Sequence, residues 1–156
     1  MSNIIAKTGW TGGQYSLFRI IFGLYLMVHF VHLLPWAAEV FSSAGMLAQG
    51  ELSPLFSLVP NILRLNDSPF AVTALVLSAV IAALAYTMGW RDRFAAFWLW
   101  YVLLCLYTRN PLIANPALPY VGWMLLAHLC IPSSPYGSFS ARSRTHPSGD
   151  WVMPAA

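Results

Sequence analysis

The sequence predicts an all-α fold, an integral membrane four-helix bundle with a partly helical outer loop between helices 1 and 2. The first observation behind it is the run from Phe70 to Met88, nineteen residues without a charge. At 1.5 Å per residue that run reaches about 28 Å, close to the roughly 30 Å of hydrocarbon in a bilayer. Three further apolar stretches accompany it. Composition is the second observation: 58% of residues are hydrophobic and only 8% charged, against roughly a quarter charged in soluble domains. So few charges cannot solvate a globule of this size. A net charge of +3, scattered along the chain, gives no patch for nucleic acid, and the partner the composition implies is the lipid bilayer.

The 156 residues make a single membrane domain. Its first helix is expected at 15–35 (YSLFRIIFGLYLMVHFVHLLP), opened by Gly12-Gly13 and closed by Pro35 and Trp36. The second is 70–88, where Ala74, Ser78 and Ala82 line a narrow face that lets a neighbouring helix approach. The third, 94–108, follows a tight GWRDR turn, and at about fifteen residues it is short for a crossing. The fourth, 118–131, is comparably short and carries Pro119 in its first turn, where the missing amide proton costs little. Between helices 1 and 2, Ser53-Pro54 reads as the cap and first position of a surface helix that Pro60 would break.

Orientation follows from the cations. Lys7, Arg19, Arg91, Arg93, Arg142 and Arg144 fall on one side, Arg64 and Arg109 on the other. This asymmetry puts both termini in the cytoplasm, with the protein multi-pass in the inner membrane. Residues 132–156 read as a cytoplasmic tail, whose last stretch, Asp150 to Ala156, turns apolar again like the start of a further helix in a longer protein. A frayed terminus is the equal alternative.

Polar residues at membrane depth are costly and therefore candidates for function. At 100° per residue, Phe18, Phe22, Tyr25, His29, His32 and Trp36 fall within about 80° of one another on the first helix. Lipid offers no partner to an imidazole, so this face is expected to turn inward. His29 and His32 then bind a metal, a haem or a quinone head, relay protons, or simply tie helices together. A metal would need Glu39 or Cys105 as a further ligand, because His128 and Cys130 lie at the opposite depth, and the metal assignment is accordingly none. The same depth argument forbids a Cys105–Cys130 disulfide. Arg19 is expected either to snorkel to inner phosphates or to hold a carboxylate or lipid head between helices. Arg109, beside two Asn-Pro dipeptides, is either a surface arginine or the partner of Glu39, Glu51 or Asp67.

The segment Leu17 to Met27 (LFRIIFGLYLM), with its Arg-Ile pair and Phe-Gly, resembles the opening helix of HTTM-type membrane domains. That group includes the membrane region of vitamin K-dependent gamma-carboxylase. Thr108 to Ser140, with an Arg-Asn-Pro turn, a helix and a Pro-terminated loop, resembles a second part of that family. Together the two cover a quarter to a third of the chain. Pro116 and Ala117 stand where the family would have Gly-Asp, so the role of that acid is absent. Arg19, Gly23, Arg109, Asn110 and Pro111 are the positions that match, and no catalytic residue is carried over. A DoxX-like four-helix membrane protein, with a similar Arg and Gly in its first helix, is the competing resemblance and fits the length better.

Two functions of different class follow. One is an accessory or structural bundle in a larger membrane system, binding a membrane protein partner or a second copy in a homo-oligomer. The other is the front part of a membrane-embedded enzyme or redox protein, with Tyr25, His29, His32 and Arg109 lining a quinone- or lipid-binding pocket.

Overall fold

The computed structural model describes residues 9–113, 115–131, 137–139 and 152–154. Four helices of thirteen residues or more dominate it: α1 Gly12–Leu33, α3 Pro69–Met88, α4 Asp92–Arg109 and α5 Leu118–Cys130. A 3-10 turn at Leu34–Trp36 accommodates Pro35, after which the chain resumes as the short helix α2, Ala37–Phe41. Helix α1 packs on α3, α3 on α4, and α4 on α5, each antiparallel to the one before. Two three-residue strands, β1 Gly9–Thr11 and β2 Val152–Pro154, pair antiparallel. The segment expected to begin another helix is therefore extended where it is described. Its pairing with residues just ahead of α1 brings both ends of the chain to one end of the bundle, here the termini end. The opposite end, formed by residues 34–68, is the loop end.

Local chemistry sets the helix boundaries. Ser68 caps α3 by accepting the amide of Ala71 at 3.3 Å, and Pro69 occupies the first turn without loss. At the far end Gly89, with φ +68°, closes α3 in a left-handed turn whose amide and that of Trp90 bond back to Tyr86 and Ala85. Arg91 also adopts a left-handed conformation, φ 46°, and turns the chain directly into α4. Helix α4 therefore starts at Asp92 rather than Phe94 and is longer than expected, at 18 residues. Among the described residues, Gly12–Phe41 and Pro69–Met88 are the two helices long and apolar enough to cross a membrane.

The core runs between the helices through Leu26, Phe30, Val76, Ala79, Leu99 and Leu125, all fully buried. On α3 the buried small residues are Ala79 and Ala83; Ala74 of the expected stripe is exposed, while Ser78 and Ala82 turn toward α4. There Trp98 Nε1 donates to Ser78 Oγ at 3.0 Å. The closest approach of α1 and α3 passes through Gly23, where a Cβ would overlap Thr87 Oγ1 and sit 3.0 Å from Thr87 Cα.

The loop end is tied to α4 by side chains rather than by a surface helix. Where the surface helix was expected, residues 54–58 form turns and Ile62–Arg64 a 3-10 turn. Ser53 does not cap a helix; its Oγ donates to the Thr108 carbonyl at 2.6 Å. Asn61 Nδ2 donates to the Cys105 carbonyl at 2.8 Å and to Thr108 Oγ1 at 2.9 Å. One of the four carbonyls left without helical partners at the end of α4, that of Thr108, is thereby satisfied.

Candidate functional site: a buried polar cluster at the termini end

The interior stripe of α1 is Tyr15, Arg19, Phe22, Gly23, Leu26 and Phe30. It lies roughly 90° around the helix from the aromatic and imidazole face expected to point inward. Only the inner half of that face enters the bundle. Phe22 is buried, whereas Tyr25, His32 and Trp36 are exposed and His29 is half-buried. The rings still stack along the helix, Phe22 to Tyr25 at 6.4 Å and Tyr25 to His29 at 6.3 Å. A guanidinium is always charged and a histidine is not, so interior space goes to Arg19 before the imidazoles. Glycine at position 23 favours the same rotation, because this side of α1 must press against Thr87.

Arg19 does not snorkel. It is 0% exposed and lies against the Gly89 turn, where a Cβ would overlap its Nη1 and sit 2.7 Å from Cζ. Its Nη2 donates to the Gly137 carbonyl at 3.3 Å. Around it each of the other three long helices contributes one buried polar side chain: Tyr86 from α3, Asp92 from α4 and His128 from α5. Tyr15 Oη and His128 Nδ1 are 2.5 Å apart, and Tyr86 Oη is 3.4 Å from the same nitrogen. His128 Nε2 faces Asp92 Oδ2 at 3.6 Å. We assign the hydroxyl of Tyr15 as the donor to Nδ1, which leaves the proton of a neutral imidazole on Nε2, pointing at the carboxylate. Asp92 Oδ1 accepts the amide of Arg93 at 3.0 Å, and Arg93 Nη2 reaches the Ile131 carbonyl at 2.6 Å. The turn between α3 and α4 and the end of α5 are thereby fastened together.

Arg109 is also 0% exposed, which overturns its reading as a surface arginine. It pairs with Asp67 at 2.9 Å and stands 5.5 Å over the ring of Phe56. Gly50 leaves room beside it: a Cβ there would be 3.2 Å from Arg109 Cζ. The neighbouring Asn110 donates to the Val40 carbonyl at 2.9 Å. Arg109 therefore holds the outer loop and does not join the histidines. Tyr25, His29 and His32 share an open groove with Val28, Leu33 and Trp36, all from α1 and the turn after it. Glu39 is exposed on α2. Among the described residues no three His, Cys, Asp or Glu side chains come together to hold a metal. Cys105 is buried, Cys130 is exposed, and both are free thiols.

The termini-end cluster escaped sequence reasoning because its members are scattered from Tyr15 to His128. A usable signal was present: each lies within about two turns of a helix end predicted at the same membrane depth. Comparison with known proteins leaves the cluster to be read on its chemistry alone, since no family model, no curated protein and no solved structure matches the chain.

Proposed function

We propose that the chain is an integral membrane protein that crosses the bilayer four times with both termini in the cytoplasm. In this reading it is an accessory or structural bundle of a larger membrane system, related to HTTM-type or DoxX-like domains. Membrane residence is supported by the distribution of side chains. Leu17, Ile21, Val28, Leu77 and Ile81 are exposed on the long helices while Arg19, Asp92, Arg109 and His128 are buried, the reverse of a water-soluble surface. The pairing of β1 with β2 at the termini end supports an even number of crossings between them, and the cation asymmetry supports their cytoplasmic side.

The observation that carries an accessory role is the outer half of α1. Tyr25, His29, His32 and Trp36 present hydrogen-bonding groups on an open face, and hydrocarbon supplies them with no partner. A membrane helix bearing carbonyl, hydroxyl or carboxylate acceptors at the outer leaflet satisfies them. The groove is built from one stretch of chain and open along its length, which suits a packed helix better than an enclosed quinone.

Trp36→Cys in native membranes, treated with a bis-maleimide, is expected to give one discrete adduct. Twice the monomer mass would mean a second copy, and any other mass a different protein. The adduct should disappear when His29→Leu and His32→Leu are added. Persistence of the adduct without the histidines, or no adduct at all, contradicts a docking role for this face.

A further inference from the structure

We propose that the buried cluster at the termini end is a proton-coupled oxyanion site, in which Arg19 holds a phosphodiester-type anion and His128, beside Asp92, holds the accompanying proton. Arg19 is 0% exposed, yet among the described residues its Nε and Nη1 have no acceptor and no carboxylate lies within ion-pair distance. A guanidinium has five N–H donors. Leaving most of them unbonded in a buried setting is costly, and an oxyanion is the group that pairs with them best.

Glycine at 89 lets the guanidinium lie against the backbone of the turn, since any side chain there would displace it. The same turn opens α4, whose first-turn amides carry the positive end of an 18-residue helix. Tyr15 and Tyr86 add hydroxyls from the two flanking helices.

Charge balance then dictates the proton. Arg19 and Asp92 sum to zero, so a bound monoanion leaves one uncompensated negative charge among buried groups. The groups facing His128 are Tyr15 and Arg19 from α1, Tyr86 from α3 and Asp92 from α4. Of all these, the imidazole of His128 is the group whose neutral form keeps a ring nitrogen able to accept a proton. Its Nε2 and Asp92 Oδ2 are both without a hydrogen-bond partner and 3.6 Å apart, and a proton on the ring converts that contact into an ion pair. On protonation Nδ1 becomes a donor and the Tyr15 oxygen an acceptor. One anion and one proton enter together and leave together, with no covalent bond made or broken. The site stands on the buried geometry at the termini end and not on the α1 docking face, so either proposal can fail alone.

Calorimetry on the full chain in detergent tests it with two probes that keep a single negative charge across the working pH range. These are dimethyl phosphate, as the free anion, and short-chain phosphatidylglycerol, as the lipid. Titrations in two buffers of different ionisation enthalpy give the protons taken up. At least one probe is expected to bind with uptake of a proton, and its affinity should fall as the pH rises. Binding of the lipid alone assigns the site to a head group, and binding of both shows that the free anion suffices. Arg19→Gln should weaken binding by at least tenfold, and His128→Gln should abolish the proton uptake. Should Arg19→Gln fail to fold, Arg19→Lys replaces it; the lysine lacks the planar fork and should bind measurably more weakly. No binding of either probe, undiminished binding by the folded Arg19 variant, or binding without proton uptake overturns the proposal.

Discussion

Arg109→Leu is expected to lower the stability of the detergent-solubilised protein by about 2–3 kcal/mol. Removing one member of a buried ion pair costs about 3–5 kcal/mol when the other is stranded out of water. Asp67 retains 27% of its side-chain exposure, and water reaching it brings the value toward the lower end. The leucine also gives up the contact with Phe56, 5.5 Å from the guanidinium carbon. For a chain of this size the loss corresponds to a fall in melting temperature of roughly 5–10 °C. Limited trypsinolysis supplies a local readout. Arg64 is exposed in the loop that Arg109 anchors, so cleavage there should accelerate in Arg109→Leu. An unchanged melting temperature and cleavage rate would mean that the hydrogen bonds of Ser53 and Asn61 to α4 suffice without the ion pair.

The second large effect is expected at Gly23. Rotation of the Thr87 side chain can clear Oγ1 from an added methyl group. Thr87 Cα, 3.0 Å from the position a Cβ would take, cannot move without the backbone of α3. Gly23→Ala should therefore cost about 1–2 kcal/mol and Gly23→Val about 3 kcal/mol, the range in which overpacking forces elements apart. The damage should spread along the interface. Phe22 meets Tyr86 at 6.1 Å across it, and Arg19 lies one turn below Gly23 on the same stripe. Thermal unfolding of the two variants checks the ranking, and equal stability of Gly23→Val and the wild type would contradict the close approach of α1 and α3.

Much of this architecture was legible along the chain. The charge-free run 70–88 marked α3, observed at Pro69–Met88, because an uncharged run of bilayer length is a local signal. Helix α5, expected at 118–131, spans Leu118–Cys130, with Pro119 in its first turn. Rotation about the helix axis was less legible. Placing His29 and His32 inside required Arg19 outside, and the choice turned on the relative cost of an imidazole and a guanidinium together with the fit of Gly23 to Thr87. That fit involves two residues on different helices and has no signature in either segment. Partners were hidden for a similar reason. Asp67 was one of three acids on the side of Arg109, and the selection rests on how Ser53, Asn61 and Asn110 fold the loop onto α4 and α2. The approach of Tyr15 to His128 spans 113 positions and depends on four helix ends meeting.

Two proteins with one accessible cysteine each, made after replacing Cys130 by alanine and leaving the buried Cys105 in the core, test the central claim of a polar-centred bundle crossing the membrane. One carries Ser43→Cys in the loop between α2 and α3, and the other carries Ser143→Cys, outside the described residues. A membrane-impermeant maleimide added to intact cells should label position 43, and should label position 143 only after the cells are opened. Labelling of 143 but not 43 from outside, or labelling of neither until lysis with the protein then free of the membrane fraction, would contradict it.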